Sequence, residues 1–131
     1  MTGISTSEPS DFPDVFKANF DAKRIDAIVG GYADDGVLDL GGGNVFRGRD
    51  QIRLAIANFL APGLPISVAR RRTLVTGDHA VVLFDWSIKG QAPDGSPVEM
   101  GGAAVDVLRR EHDGVWRQIL DLPFGHATQG G

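Results

Sequence analysis

Two aspartates stand where an unpaired carboxylate is costly. Asp106 interrupts the apolar run AAVDVL at residues 103–108, and on an alternating strand its face-mates are Ala104 and Leu108. A charge on such a face is expensive unless it is paired or protonated, which makes Asp106 a candidate acid or base. The alternatives are an edge strand with Asp106 turned outward, or an ion pair with Arg70 or Arg72. Asp121, in ILDLPF at residues 119–124, is the second candidate, near the end of the last predicted strand. Its other reading is a solvated strand end, and the same holds for Asp39 between Leu38 and Leu40.

Other chemistries find little support. Cysteine is absent, which excludes disulfides, thiol nucleophiles and thiolate metal sites. His79 and His112 fall in predicted turns and His126 in a glycine-rich tail, and none has a partner at metal-ligand spacing. Gly41 to Gly43 lack the lysine of a phosphate loop and read as a turn. Arg70, Arg71 and Arg72 cannot all point one way along a strand. With a net charge of −4, no basic face for nucleic acid is expected. No run approaches membrane-spanning length, and the N-terminus has no basic, apolar leader. The expectation is a cytoplasmic protein without a metal or cofactor.

The elements that must position these residues divide into two halves. Residues 1–10 read as a disordered lead-in, 11–125 as one domain and 126–131 as a flexible tail. Ser10 or Asp11 could cap a first helix that carries Pro13 in its first turn and Phe12, Val15, Phe16 and Phe20 on its apolar side. A short helix follows from about Ile25. Asp34, Asp35 and Gly36 then suggest a turn, and Val37 to Leu40 a short strand. After the glycine turn, Ile52, Ile56, Phe59 and Leu60 recur with helical spacing. Beyond Pro65 the period becomes two. Strands are expected over 66–76, 79–89, 98–110 and 115–122, separated by Gly-Asp, Pro-Asp-Gly and Asp-Gly turns. Val82, Phe84, Trp86 and Ile88 share one face of the second long strand, and Val81, Leu83, Asp85 and Ser87 the other. Helices followed by a meander of strands make an α+β domain.

The ordered pieces Tyr32-Ala33-Asp34-Asp35, Arg47-Gly48-Arg49, Gly77-Asp78-His79-Ala80, Phe84-Asp85-Trp86, 106–110 and Asp113-Gly114-Val115-Trp116-Arg117 resemble the nuclear transport factor 2-like superfamily. The SnoaL-like and ketosteroid isomerase-like branch is the most similar. The resemblance spans nearly the whole chain. It implies a cone-shaped, curved antiparallel sheet with the N-terminal helices packed on its concave face, leaving a pocket at the wide end. Phe16, Tyr32, Leu40, Phe59, Phe84, Trp86 and Leu108 are the expected lining, with Asp121 at the mouth. Trp86 reads either as plain core or as a pocket wall with one indole donor.

In the ketosteroid isomerases a protonated aspartic acid works near this point of the fold, and either Asp106 or Val107 aligns with it. The other catalytic positions are filled differently. The base of those enzymes falls at Leu40 and the oxyanion tyrosine at Phe16, while Ile56 or its neighbour stands where another tyrosine would be. Neither Leu40 nor Phe16 can accept or donate a proton. The resemblance therefore implies a protein that binds a small, mostly apolar molecule, with acid/base chemistry by Asp106 or Asp121, and not a steroid isomerase. The alternative is a non-catalytic binding or dimerisation module with a vestigial pocket. Relatives pair through the outer sheet face, so a homodimer is expected.

Overall fold

The computed structural model describes residues 5–125. The first four residues of the expected lead-in, and the expected tail over 126–131, lie outside them. From Thr6 onward the lead-in is packed. Thr6 and Pro9 are buried, the Thr6 carbonyl accepts a hydrogen bond from the Trp116 N–H at 3.0 Å, and Pro9–Asp11 forms a 3-10 turn.

Two helices follow, α1 (Phe12–Asp21) and α2 (Ile25–Gly30). Pro13 lies in the first turn of α1, where its missing N–H has no helical partner to lose. Asp11 precedes α1 without capping it through its side chain. Its carboxylate, with that of Asp14, instead accepts from Arg70. Strands β1 (Tyr32–Asp39) and β2 (Val45–Arg47) lead into α3 (Gly48–Leu60), and four strands complete the chain: β3 (Ser67–Thr76), β4 (His79–Gln91), β5 (Pro97–Arg110) and β6 (Trp116–Leu122).

The six strands form one curved sheet in the order β2-β1-β6-β5-β4-β3, with the N-terminal helices against it, an α+β cone. Consecutive strands from β3 to β6 pair antiparallel, as the period-two spacing predicts. The pair β1–β6 is parallel, unlike the all-antiparallel sheet expected, and joins the first strand to the last. The turn expected at 34–36 is part of β1. Asp34 and Asp35 are exposed on a bulged stretch, and Gly36 lets the strands approach. A Cβ there would stand 3.0 Å from the carbonyl oxygens of Ala33 and Gln118.

Alternation on β4 is regular: Ala80, Val82, Phe84, Trp86 and Ile88 all point inward and are buried. Phe12 and Phe20 of α1, with Ile52 and Ile56 of α3, close over them in one core. Burying each such side chain contributes about 1.5–3 kcal/mol, so this face fixes which side of the sheet the helices cover.

Candidate functional site

The site begins with a break in alternation on β6. Trp116 and Gln118 point inward, so strict period two would turn Leu120 inward and Asp121 outward. The register against β5 shifts, however, between Val107–Leu120 and Leu108–Gln118, which leaves Ile119 unpaired as a bulge. Beyond the bulge the inward set moves by one residue, and Asp121 enters the interior directly opposite Asp106. On the other side of β6, Tyr32 pairs with Gln118 and Leu38 with Asp121. Three strands thus deliver Tyr32, Asp106, Gln118 and Asp121 to one buried point.

These side chains form a connected polar cluster. The Tyr32 hydroxyl donates a short hydrogen bond to Asp121 Oδ2, and Gln118 Nε2 donates to Asp106 Oδ2 at 3.3 Å. Asp106 is 1% exposed and Asp121 7%. Burial pushes the Asp106 carboxyl well above the ordinary carboxylate range, and the neighbouring Asp121 charge pushes it further. Burial also raises Asp121, but hydrogen bonds from Asp106, Tyr32 and Gln118 favour its charged form. The neutral form is therefore favoured more at Asp106 than at Asp121. Asp106 Oδ1 is buried and accepts no hydrogen bond, as suits the oxygen that carries the proton. Burial and Asp121 together push the Tyr32 phenol well up, so it stays a neutral donor.

Apolar walls surround the cluster. Phe16 and Phe59 from the helices, Leu38 from β1, and Phe84 and Trp86 from β4 line a cavity of about 40 Å³, into which Asp106, Asp121, Gln118 and Tyr32 also face. At roughly 10–15 Å³ for each water, that volume suits about three waters. Trp86 is held by its indole N–H, which donates to the Pro123 carbonyl at 2.7 Å, and its ring meets Phe59 edge-on at 5.8 Å. Trp86 is therefore a buried core residue that borders the cavity, with its indole N–H taken by Pro123 and not offered to the cavity.

Of the expected lining, Phe16, Tyr32, Phe59, Phe84 and Trp86 border the cavity, and Leu40 and Leu108 do not. Leu40 follows the end of β1 and its N–H is drawn into the glycine turn by the Asn44 carbonyl. Leu38, two residues earlier on the same face, takes the wall position. Leu108 is fully buried in the core beyond Asp106. Gln118 is the polar site residue that sequence reasoning missed, and Leu38 is one of several apolar lining residues it did not name. Gln118 carried a signal, a polar amide sharing the apolar run that holds Asp121.

The competing readings of Asp106 fail. Asp106 points inward, Arg70 pairs instead with Asp11 and Asp14, and neither Arg70 nor Arg72 lines the cavity. Asp39 serves its turn, accepting from the Gly41 N–H at 2.8 Å. His79 and His112 are exposed, and His126 lies outside the described residues. Among the described residues no group of three or more histidine or carboxylate side chains is placed to hold a metal.

Solved structures share this fold at low identity. A ketosteroid isomerase-like protein from Erwinia carotovora atroseptica superposes with a TM-score of 0.73 at 20% identity, covering 87% of this chain and 91% of that one. A nuclear transport factor 2-like protein with a cystatin-like fold from Novosphingobium aromaticivorans gives 0.73 at 17%, over 92% and 80%. A candidate dehydratase of the nuclear transport factor 2-like family from Streptomyces avermitilis gives 0.63 at 20%, over 82% and 86%. No curated protein matches the chain. The SnoaL-like domain family matches residues 14–119, most of the chain, and the protein belongs to that family.

Proposed function

We propose that the protein binds a small, mostly apolar molecule bearing one oxygen function in the cone, and moves a proton on it with the Asp106–Asp121 pair. The observation that supports this is the pair itself, two buried carboxyls facing each other across β5 and β6 under apolar walls. Asp121 is the proton acceptor. Asp106 Oδ1–H is the donor for an oxygen that gains negative charge as the proton leaves a neighbouring carbon, and the Tyr32 hydroxyl holds Asp121 in place. Burial raises both carboxyls above their ordinary values, which makes Asp121 a stronger proton acceptor than a solvated carboxylate. Isomerisation, hydration and hydrolysis all use such a set. The fold shared with a candidate dehydratase is in keeping with this chemistry.

A steroid isomerase is a poor fit. The cavity-facing residue at the end of β1 is Leu38, its successor on that face is Leu40, and α1 offers Phe16, so base and phenol donor are both missing from those positions. A Δ5-3-ketosteroid is expected to remain unconverted above background.

The second reading, a non-catalytic module with a vestigial pocket, is favoured by one observation, the free volume of about 40 Å³. Deuterium exchange at the α-carbons of cyclohexanone, followed by NMR in D₂O, separates the two. The catalytic reading expects exchange above the buffer rate, lost in Asp121→Asn. Exchange equal to buffer for cyclohexanone and for other small ketones and enones overturns it in favour of the module.

A further inference from the structure

The buried cluster depends on Tyr32 standing in one place, and a residue outside the cavity holds it there. Just before β1 the Gly31 carbonyl faces β6 and accepts from the Gln118 N–H at 2.8 Å. The next carbonyl, that of Tyr32, faces the opposite edge. β2 covers that edge only at residues 37–39, so it does not reach the Tyr32 carbonyl. A part-buried carbonyl is costly without a donor, and here the donor comes from α3. Arg49 Nε and Nη2 both donate to it, at 2.9 and 2.7 Å.

Arg49 is the second residue of α3, placed there by Gly48, whose φ of 78° turns the chain out of β2. Its remaining guanidinium nitrogen, Nη1, meets Asp34 Oδ1 at 2.7 Å. The Asp34 side chain is 90% exposed, so this pair adds little to stability. It instead steadies the planar fork at the angle from which two nitrogens reach one carbonyl oxygen. Arg49, Ile52, Ile56 and Phe59 fall on one face of α3. The helix therefore meets the site at both ends, Arg49 on the Tyr32 carbonyl and Phe59 on the Trp86 ring.

We infer that Arg49 is the positioning residue of the cluster: it fixes the Tyr32 backbone, and thereby the place at which the Tyr32 hydroxyl meets Asp121. The hydroxyl is at the far end of a fully buried side chain, so a tilt of the peptide displaces it more than it displaces the Cα. A displacement of about 1 Å can cost about a hundredfold in rate. Any effect on proton transfer rests on the acid–base reading of the pair; the positioning itself does not. The titratable groups facing Asp121 are Tyr32 from β1 and Asp106 from β5, and the helices present only apolar side chains to the cavity.

The test needs no substrate. Tyr32 is the chain's only tyrosine, so an isotope label on the tyrosine Cζ reports its hydroxyl alone, and labelled aspartate carboxyls report Asp121 in an NMR pH titration. Tyr32→Phe sets the scale: it removes a hydrogen bond that favours the charged form, so Asp121 should titrate at higher pH. Arg49→Met should raise the Asp121 titration by at least half of that amount and move the Tyr32 Cζ resonance. Combined with Tyr32→Phe it should change Asp121 no further. Arg49→Lys, which keeps the charge but offers one nitrogen in place of a fork, should shift both signals the same way and by less. A wild-type Asp121 titration in whichever Arg49 variant folds, however much stability that variant has lost, makes Arg49 a structural brace and overturns the inference. An Asp121 titration unmoved by Tyr32→Phe overturns it as well, as does an Arg49→Met shift that persists in the Tyr32→Phe background. Absence of ketone exchange in the wild-type chain removes the catalytic reading alone, and the titrations still decide the role of Arg49.

Discussion

Asp106 shows how a single buried carboxyl can be read from its surroundings. Its neighbours supply one amide donor, one cross-strand carboxylate and no cation, so the favourable state is neutral. That has a consequence for stability. The Asp106 and Asp121 carboxyls ionise at higher pH in the folded chain than their ordinary value of 3.8, so the folded chain keeps protons that the unfolded chain has released. Stability from this pair is fully present below about pH 4 and falls as pH rises through the folded-state values. The slope is at most about 1.4 kcal/mol per pH unit for each proton retained. Asp106→Asn cannot ionise, and its amide oxygen can still accept from Gln118. We therefore expect the variant to melt within a few degrees of wild type at about pH 4.5 and to gain on it steadily toward about pH 8. Thermal melts across that range check this; a variant that loses ground as pH rises would mean that Asp106 is charged and paired.

At the scale of elements, regular periodicity was readable and its interruptions were not. The helical face of Ile52, Ile56 and Phe59 and the unbroken inward row of β4 follow from residue spacing alone, and both are as expected. Asp106 could be placed on the inward face of β5 because β5 keeps its alternation around it. Asp121 could not, because a bulge at Ile119 reverses every later side chain and no residue type announces it. The parallel β1–β6 pairing was hidden for a related reason: it joins segments far apart in sequence, and local pattern carries no information about such partners. Close packing of strands against the chain's end also makes a prediction about β5. A Cβ on Gly102 would lie 2.7 Å from the Pro123 carbonyl oxygen, the group that holds the Trp86 indole, and 3.0 Å from the Phe124 ring. Gly102→Ala should therefore cost about 1–3 kcal/mol by overpacking and shift the Trp86 emission. Gly30→Ala, at a helical position with nothing within 4 Å of the added carbon, should be neutral or gain up to about 1 kcal/mol. Urea unfolding curves of the two variants compare them directly, and equal stabilities would show that the β5 contact yields.

At the scale of the whole molecule, the helices cover one face of the sheet and leave the other uncovered by any helix. Strand register assembles that outer face into two rows. Leu74, Val81, Val107 and Leu120 run across β3, β4, β5 and β6, and Leu83, Val105 and Leu122 form a second row beside them. All but Leu74 are half-buried by their own neighbours, and Leu74 is 46% exposed. Seven aliphatic side chains in register make a continuous apolar band, larger than the scattered apolar residues a soluble surface ordinarily shows. The Arg71–Asp85 ion pair lies at one end of it and provides a polar rim. We propose that the occupant is a second copy of the chain. A two-fold axis through the band brings each row against the same rows of its partner, and a self-complementary apolar patch closes in one step. The cone sits on the other side of the sheet, so pairing leaves it open. Light scattering at tens of micromolar should give the mass of a dimer. Leu83→Lys places a charge in the centre of the band without touching the core, and should shift the mass to that of a folded monomer. A wild-type chain that is monomeric at that concentration, or a Leu83→Lys variant that remains dimeric, would exclude this face as the interface.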